Sequence, residues 1–253
     1  MGRGRMFRTA IAFAVSFGMF LCAFPVSAFG AKLEKEEEPE VKRVVEAETV
    51  GEMMSALADN VTIVLKPGTY NITEYIESLE SYGRWEDEGE DFPGVYVNEV
   101  FDGLELIING YYNISIVSED KDDPAEIVIE PRYADVLSFK ECYNILIDSV
   151  SLGHTPEQGS CAGDVLNLEY CDNVVISDSE LYGCGTYAFN ISHSSDISAL
   201  NCDIHDCTYG CAEVSSANDL VFTRCDFHDC KEYSMFELYN GTMDFIGCDF
   251  RNL

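Results

Sequence analysis

Basic residues are scarce in this chain: 15 Lys and Arg stand against 46 Asp and Glu, a formal charge of −31 on 253 residues. Such a surface repels nucleic acid and anionic membranes. It also disfavours an anionic polymer as substrate unless cations bridge the two. Long apolar runs are missing too, and the one continuous stretch, Ala10 to Phe24, is too short for a membrane span. Beyond it the apolar residues come in short alternating runs with no helical stripe, which excludes an α-solenoid. A flat hairpin meander would need a reversing turn signal after each run, and the runs are too evenly spaced for that.

What is present begins with a leader. Arg3, Arg5 and Arg8 precede the apolar run and Val26-Ser27-Ala28 follows it as a small-residue cleavage site, so residues 1–28 read as a secretory signal. Met19, Phe20 and Leu21 ahead of Cys22 do not form a lipoprotein box. The expectation is export as a soluble protein, secreted or held at the cell surface. An acidic linker is expected over 29–48, centred on EKEEEPE, and a helix over 49–59 from GEMMSALADN. Residues 60–253 remain for one domain with a substantial core.

That domain repeats. Asn173, Asp196, Asp219 and Thr242 follow one another at intervals of 23 residues. One and three positions after each come Val174/Ile176, Ile197/Ala199, Leu220/Phe222 and Met243/Phe245, and eight after come Leu181, Ile204, Phe227 and Phe250. Asn144 and Asn113 open earlier, longer copies of 29 and 31 residues. Each copy holds three short strands, such as NVVIS, SELYG and AFNIS over 173–195. A coil that winds once per 23 residues stacks these strands in parallel about 4.8 Å apart, with side chains alternating inward and outward.

This pattern resembles the right-handed parallel β-helix, the pectin-lyase-like fold, over roughly 60–253. NVTIVLKPGTYNIT at 60–73 is similar to the opening rung of such proteins, and the helix before it would cap the first rung's unpaired edge. The fold class expected is therefore all-β, a right-handed parallel β-helix solenoid with an N-terminal capping helix. The resemblance implies a carbohydrate polymer as partner. It does not carry the family's catalytic residues: of the Asn-Thr-Asp, Asp-Asp, Gly-His-Gly and Arg-Ile-Lys motifs of polygalacturonase-type enzymes, only the Asp122-Asp123 dipeptide occurs. Nor do Arg84, Arg132, Arg224 and Arg251 sit in the setting of a pectate lyase base.

Two stretches, NCDIHDCTYG and RCDFHDCKEY, pack Cys, Asp and His so closely that they suggest a metal site. Strand parity argues otherwise. With Ile204 facing inward, Cys202 faces inward as well, whereas Asp203 and His205 face out, so Cys and His of one strand cannot meet on one ion. The cysteines form columns instead: Cys161, Cys184, Cys207 and Cys230; Cys202, Cys225 and Cys248; and Cys142 with Cys171. Stacked neighbours lie within disulfide range, but free thiols also pack as small apolar groups, and mostly reduced columns are expected.

Outward columns are where ligands would bind. Asp203, Asp226 and Asp249 stack below Glu180, and Ca²⁺ is the ion such a column would take. Two positions along stand Tyr182, His205, His228 and Arg251. The extra residues of the long copy fall in HTPEQGSCAG at 154–163, and insertions in solenoids collect on the binding face. A groove lined by His154, Glu157, Tyr182, Tyr187, His205 and His228 is the resulting expectation, with tyrosine faces for sugar rings and His or Glu for proton transfer. Two functions remain open: a non-catalytic scaffold binding carbohydrate or a partner, and a polysaccharide lyase or glycoside hydrolase with an unfamiliar site. The last copy ends partway through a coil, so self-association through 219–253 is also expected.

Overall fold

The computed structural model describes residues 42–81, 94–156, 162–183, 185–230 and 234–252. The chain enters through strand β1 (Arg43–Ala47) and helix α1 (Val50–Ala56). The first coil holds β2 (Val61–Leu65) and β3 (Thr69–Asn71), then helix α2 (Ile72–Ser81) and an antiparallel hairpin of β4 (Gly94–Val100) and β5 (Gly103–Asn109). Next come β6 (Tyr112–Ser118), β7 (Glu126–Ile129) and β8 (Leu137–Lys140), then β9 (Tyr143–Asp148), β10 (Ser151–His154) and β11 (Leu166–Glu169). Regular coils follow with β12 (Asp172–Ser177), β13 (Glu180–Tyr182) and β14 (Tyr187–Ser192), and with β15 (Ser195–Leu200), β16 (Asp203–His205) and β17 (Gly210–Thr223). The last strands are β18 (Asp226–His228), β19 (Phe236–Ile246) and β20 (Asp249–Arg251).

Among the described residues, pairing apart from the hairpin is parallel and joins equivalent positions of successive coils. Val174 pairs with Ile197, Ile197 with Leu220, and Leu220 with Met243. Leu181, Ile204, Phe227 and Phe250 form a second file. Inward residues such as Ile145, Val174, Ile197 and Leu220 are fully buried, while their strand neighbours reach solvent. The seven strands β3, β7, β10, β13, β16, β18 and β20 make one sheet.

The corners explain why Asn and Asp mark the repeat. Asn60, Asn113, Asn144, Asn173, Asp196 and Asp219 all have φ between 54° and 59°. Their short polar side chains tolerate the left-handed conformation that other L-residues avoid. They also bond along the column: Asn173 Nδ2 donates to Asn144 Oδ1 at 2.7 Å.

Two features differ from the sequence expectation. Residues 43–47, assigned to the acidic linker, form β1, because Val45 and Ala47 alternate with Val44 and Glu46 and extend the sheet beyond β2. The 34–40 core of that linker lies outside the described residues, as does the 1–28 leader. Helix α1 buries Val50, Met53, Met54 and Ala56, with Thr49 Oγ1 accepting the Glu52 N–H at 3.2 Å as its N-cap. Helix α2 falls in the stretch for which the sequence suggested no element.

Replacing Asn173 by Ala should destabilise the fold by about 1–2 kcal/mol, because Ala pays the left-handed strain, whereas Asn173→Gly should cost much less. Urea denaturation of the two variants measures this. Equal losses would contradict the assignment.

Candidate functional site

The sheet that starts with β3 presents two outward columns. Thr69, Glu126, Ser151, Glu180, Asp203, Asp226 and Asp249 fill the first in register. Two positions along, the second column runs Gly153, Tyr182, His205, His228 and Arg251. Carboxylates stacked at strand spacing repel one another. Each described acid above the last rung is engaged by a donor of the second column that sits below it. Tyr182 Oη–H donates to Glu126 Oε1 at 2.7 Å. His205 Nε2–H donates to Glu180 Oε1 at 3.0 Å, and His228 Nε2–H to Asp203 Oδ1 at 2.9 Å. Arg251 Nε–H reaches Asp226 Oδ1 at 3.0 Å and its Nη2 reaches the other oxygen.

The histidines donate from both nitrogens. His205 Nδ1–H bonds Asp206 at 2.8 Å and His228 Nδ1–H bonds Asp229 at 2.9 Å. Glu180 first, then Asp206, raises His205 to about 9 against the cost of partial burial. Burial opposes the charge on His228, but Asp229 and Asp203 outweigh it and raise its pKa. Glu180 is correspondingly lowered by His205. The His205 and His228 rings stack at 4.9 Å and 5°, and Tyr182 stacks on His205 at 5.8 Å. Tyr182 lies across Gly153, where a Cβ would meet its ring at 2.3 Å. Beside the acid column, Lys121, Ser151, Asp178, Glu180, Asn201 and Asp203 line a depression of ≈ 180 Å³.

The six-residue groove expected from sequence does not assemble. Tyr182, His205 and His228 share a face. His154 does not: it follows Leu152 by two residues, so the same parity turns it inward, where it is 3% exposed. Its Nε2–H donates to the Ala134 carbonyl at 2.8 Å, and burial lowers its pKa, leaving a neutral ring. Tyr187 is buried on the neighbouring face formed by β11, β14 and β17, where burial and Glu237 raise its pKa. Glu157 lies outside the described residues.

The expected metal column is present as geometry, but its chemistry does not suit Ca²⁺. Ligand atoms of Asp203, Asp226 and His228 lie within 4.8 Å of one another, whereas Asp249 stands one rung further along. Ca²⁺ takes six to eight oxygen ligands. Here an imidazole nitrogen replaces one, and His228 and Arg251 already engage the two carboxylates. Among the described residues the eight cysteines are unbridged; Cys161 and Cys184 lie outside them.

Sequence reasoning missed a second acid staircase. Glu105, Asp135 and Asp164 are all buried, and each accepts a backbone N–H from the next coil. Glu105 Oε2 takes Asp135 N–H at 2.8 Å, Asp135 Oδ1 takes Asp164 N–H at 2.8 Å, and Asp164 Oδ1 takes Tyr187 N–H at 2.9 Å. Burial, then the Asp135 charge, pushes Asp164 up to about 7. The signal was the repeat of Asp-Val-Leu at 135–137 and 164–166.

Residues 135–253 match the family described as a right handed beta helix region. The protein is a right-handed parallel β-helix of the pectin-lyase-like fold. Among solved structures it is similar to ORF18 of Geobacillus virus E2, with a TM-score of 0.52 and 16% identity over 76% of this chain and 34% of the viral one. It is also similar to a rhamnogalacturonan lyase (TM-score 0.49, 11% identity, 79% of this chain and 51% of that). A third is the pectin methylesterase of Aspergillus niger (TM-score 0.38, 9% identity, 85% and 87%). At this identity the likeness to the viral protein shows the fold alone, and the chain spans about a third of that protein. No curated protein matches the sequence. Among the described residues no helix is long and apolar enough to cross a membrane.

The raised pKa of His205 sets a pH dependence. The folded state holds its proton more tightly than the unfolded state, so the stabilisation is complete below the ordinary value of 6.5 and is lost as pH rises through about 9. The denaturation midpoint should therefore fall over that window, and His205→Asn should flatten the fall. An unchanged slope in the variant would contradict the ion pairing.

Proposed function

We propose that the protein is an exported, non-catalytic scaffold that binds a carbohydrate polymer along the face of β10, β13, β16 and β18. One observation carries the reading: on this face each of the acids Glu126, Glu180, Asp203 and Asp226 is held by a Tyr, His or Arg. A general acid or base must be free to exchange a proton with the substrate, and these groups are committed to one another. The rigid ladder borders a depression of hydroxyl, amide, carboxylate and ammonium groups, a composition suited to sugar hydroxyls. The net negative charge favours a neutral glycan. Ca²⁺ at the Asp203 column would have to displace His228 and Arg251.

Glycan-array binding with the purified chain tests this, followed by turnover assays on each bound polymer. The expected result is binding without cleavage, weakened about tenfold or more by Asn201→Ala or Ser151→Ala at the depression. Release of new chain ends from any bound polymer, abolished by Glu180→Gln, would establish the polysaccharide lyase or hydrolase reading instead.

Self-association belongs to the same proposal. Phe245, Ile246 and Phe250 of the last described coil are 38–58% exposed, although Phe245 and Phe250 continue buried columns. Sedimentation velocity should show concentration-dependent dimers that Phe250→Asp disperses. A monomer at high concentration would contradict it.

A further inference from the structure

The corner between β9 and β10 carries a hydroxyl that the rest of the molecule leaves unused. Ser149 opens a corner file that continues, coil by coil, through Asp178, Asn201 and Arg224, with φ between 47° and 57° throughout. Backbone bonds fix the file: Ser149 N–H donates to the Ser177 carbonyl and Asp178 N–H to the Leu200 carbonyl, both at 2.9 Å. Below Ser149 the side chains bond one another. Arg224 Nε–H donates to Asn201 Oδ1 at 2.8 Å, and Asn201 Nδ2–H to Asp178 Oδ1 at 2.9 Å. Lys121 Nζ–H, from the segment between β6 and β7, takes the other Asp178 oxygen at 3.3 Å. The neighbouring serines are engaged as well: Ser179 Oγ–H donates to the Ser177 carbonyl at 2.8 Å, and Ser151 Oγ–H to Glu180. Ser149 Oγ, in contrast, has no hydrogen-bond partner among the described residues, and the residue is 3% exposed.

Ser149 also lines the ≈ 180 Å³ depression beside the acid column, together with Lys121, Asp178, Glu180 and Asp203. A buried hydroxyl without a partner has lost water and gained nothing in exchange. A ligand that reaches it forms a hydrogen bond at a group already stripped of water, so little of the gain is lost to desolvation. The volume corresponds to about six waters at ~30 Å³ each, the space of one sugar ring and not of a stretch of polymer. The walls discriminate among sugars. Asp178, Glu180 and Asp203 repel a uronate, whereas their carboxylates and the Lys121 ammonium match the donors and acceptors of a neutral ring's hydroxyls.

We propose that Ser149 sets the specificity of the glycan site: its hydroxyl bonds one hydroxyl of a single neutral sugar unit seated in the depression, while the rest of the polymer runs along the adjoining face. This role of Ser149 rests on the glycan-binding reading above. Removing the hydroxyl relieves an unsatisfied group in the free chain and deletes a bond in the complex, so stability and affinity should not fall together. A hydroxyl needed only for the fold, or only to hold a buried water, would cost stability when removed and leave affinity unchanged.

The test is calorimetric titration of the purified chain with neutral hexasaccharides of glucose, mannose, galactose and xylose, and with hexagalacturonate as the anionic control. At least one neutral hexasaccharide should bind and hexagalacturonate should not. For that sugar Ser149→Ala and Ser149→Gly, the second suited to a φ of 57°, should each weaken binding about tenfold, while the unfolding midpoint of the unliganded chain stays level or rises. One monodeoxy form of the bound sugar should bind the parent chain and Ser149→Ala equally, because it lacks the hydroxyl that Ser149 meets. Undiminished affinity in both variants would overturn the role of Ser149 and leave glycan binding standing. Absence of binding by every hexasaccharide would overturn the glycan-binding reading and the role of Ser149 together.

Discussion

Parallel register between coils is the constraint on which everything else in the molecule depends. Each coil satisfies its backbone only through the coils above and below, so side chains at equivalent positions are forced into files about one strand spacing apart. Inward files make the core, from Val174 through Ile197 to Leu220. Corner files demand left-handed residues, and Asn or Asp meets that demand at Asn144, Asn173, Asp196 and Asp219. A file has no freedom to avoid its own neighbour, whether that neighbour is an isoleucine or a like charge.

In so acidic a chain that rule creates an electrostatic problem, which two devices answer. On the outer face the acid file is paired diagonally with a file of Tyr182, His205, His228 and Arg251, each donor reaching a carboxylate above it. Two of the four histidines and one arginine thereby stand where the carboxylates stack. Around the coil, Glu105, Asp135 and Asp164 are buried without cations and hold backbone N–H groups of successive coils instead. Asp164 meets the cost by retaining its proton to an unusually high pH. Both devices turn repulsive files into hydrogen-bonded ones.

Much of this was legible from spacing. The 23-residue interval fixed the files, and alternation within DIH and DFH separated inward cysteine from outward Asp and His. The same alternation, carried from Leu152 to His154, would have turned that histidine inward; its position beside an insertion drew attention to the loop and away from parity. Tyr187 was misplaced because the corner between β13 and β14 redirects the chain onto another face, and corner geometry leaves no periodic trace. Diagonal pairing was invisible because it depends on side-chain reach across rungs. The Asp135 and Asp164 pair was visible as a repeated tripeptide, but nothing in the letters says that an acidic residue at that position is buried.

The central claim is that residues 23 apart lie directly over one another through the regular part of the chain. Nuclear Overhauser contacts among Leu181, Ile204 and Phe227 test it most directly, using methyl and aromatic labelling of the purified protein. The account predicts strong contacts from Leu181 to Ile204 and from Ile204 to Phe227, with none from Leu181 to Phe227. Contacts joining these residues to partners at other intervals, or an antiparallel pattern about any of the three, would contradict it.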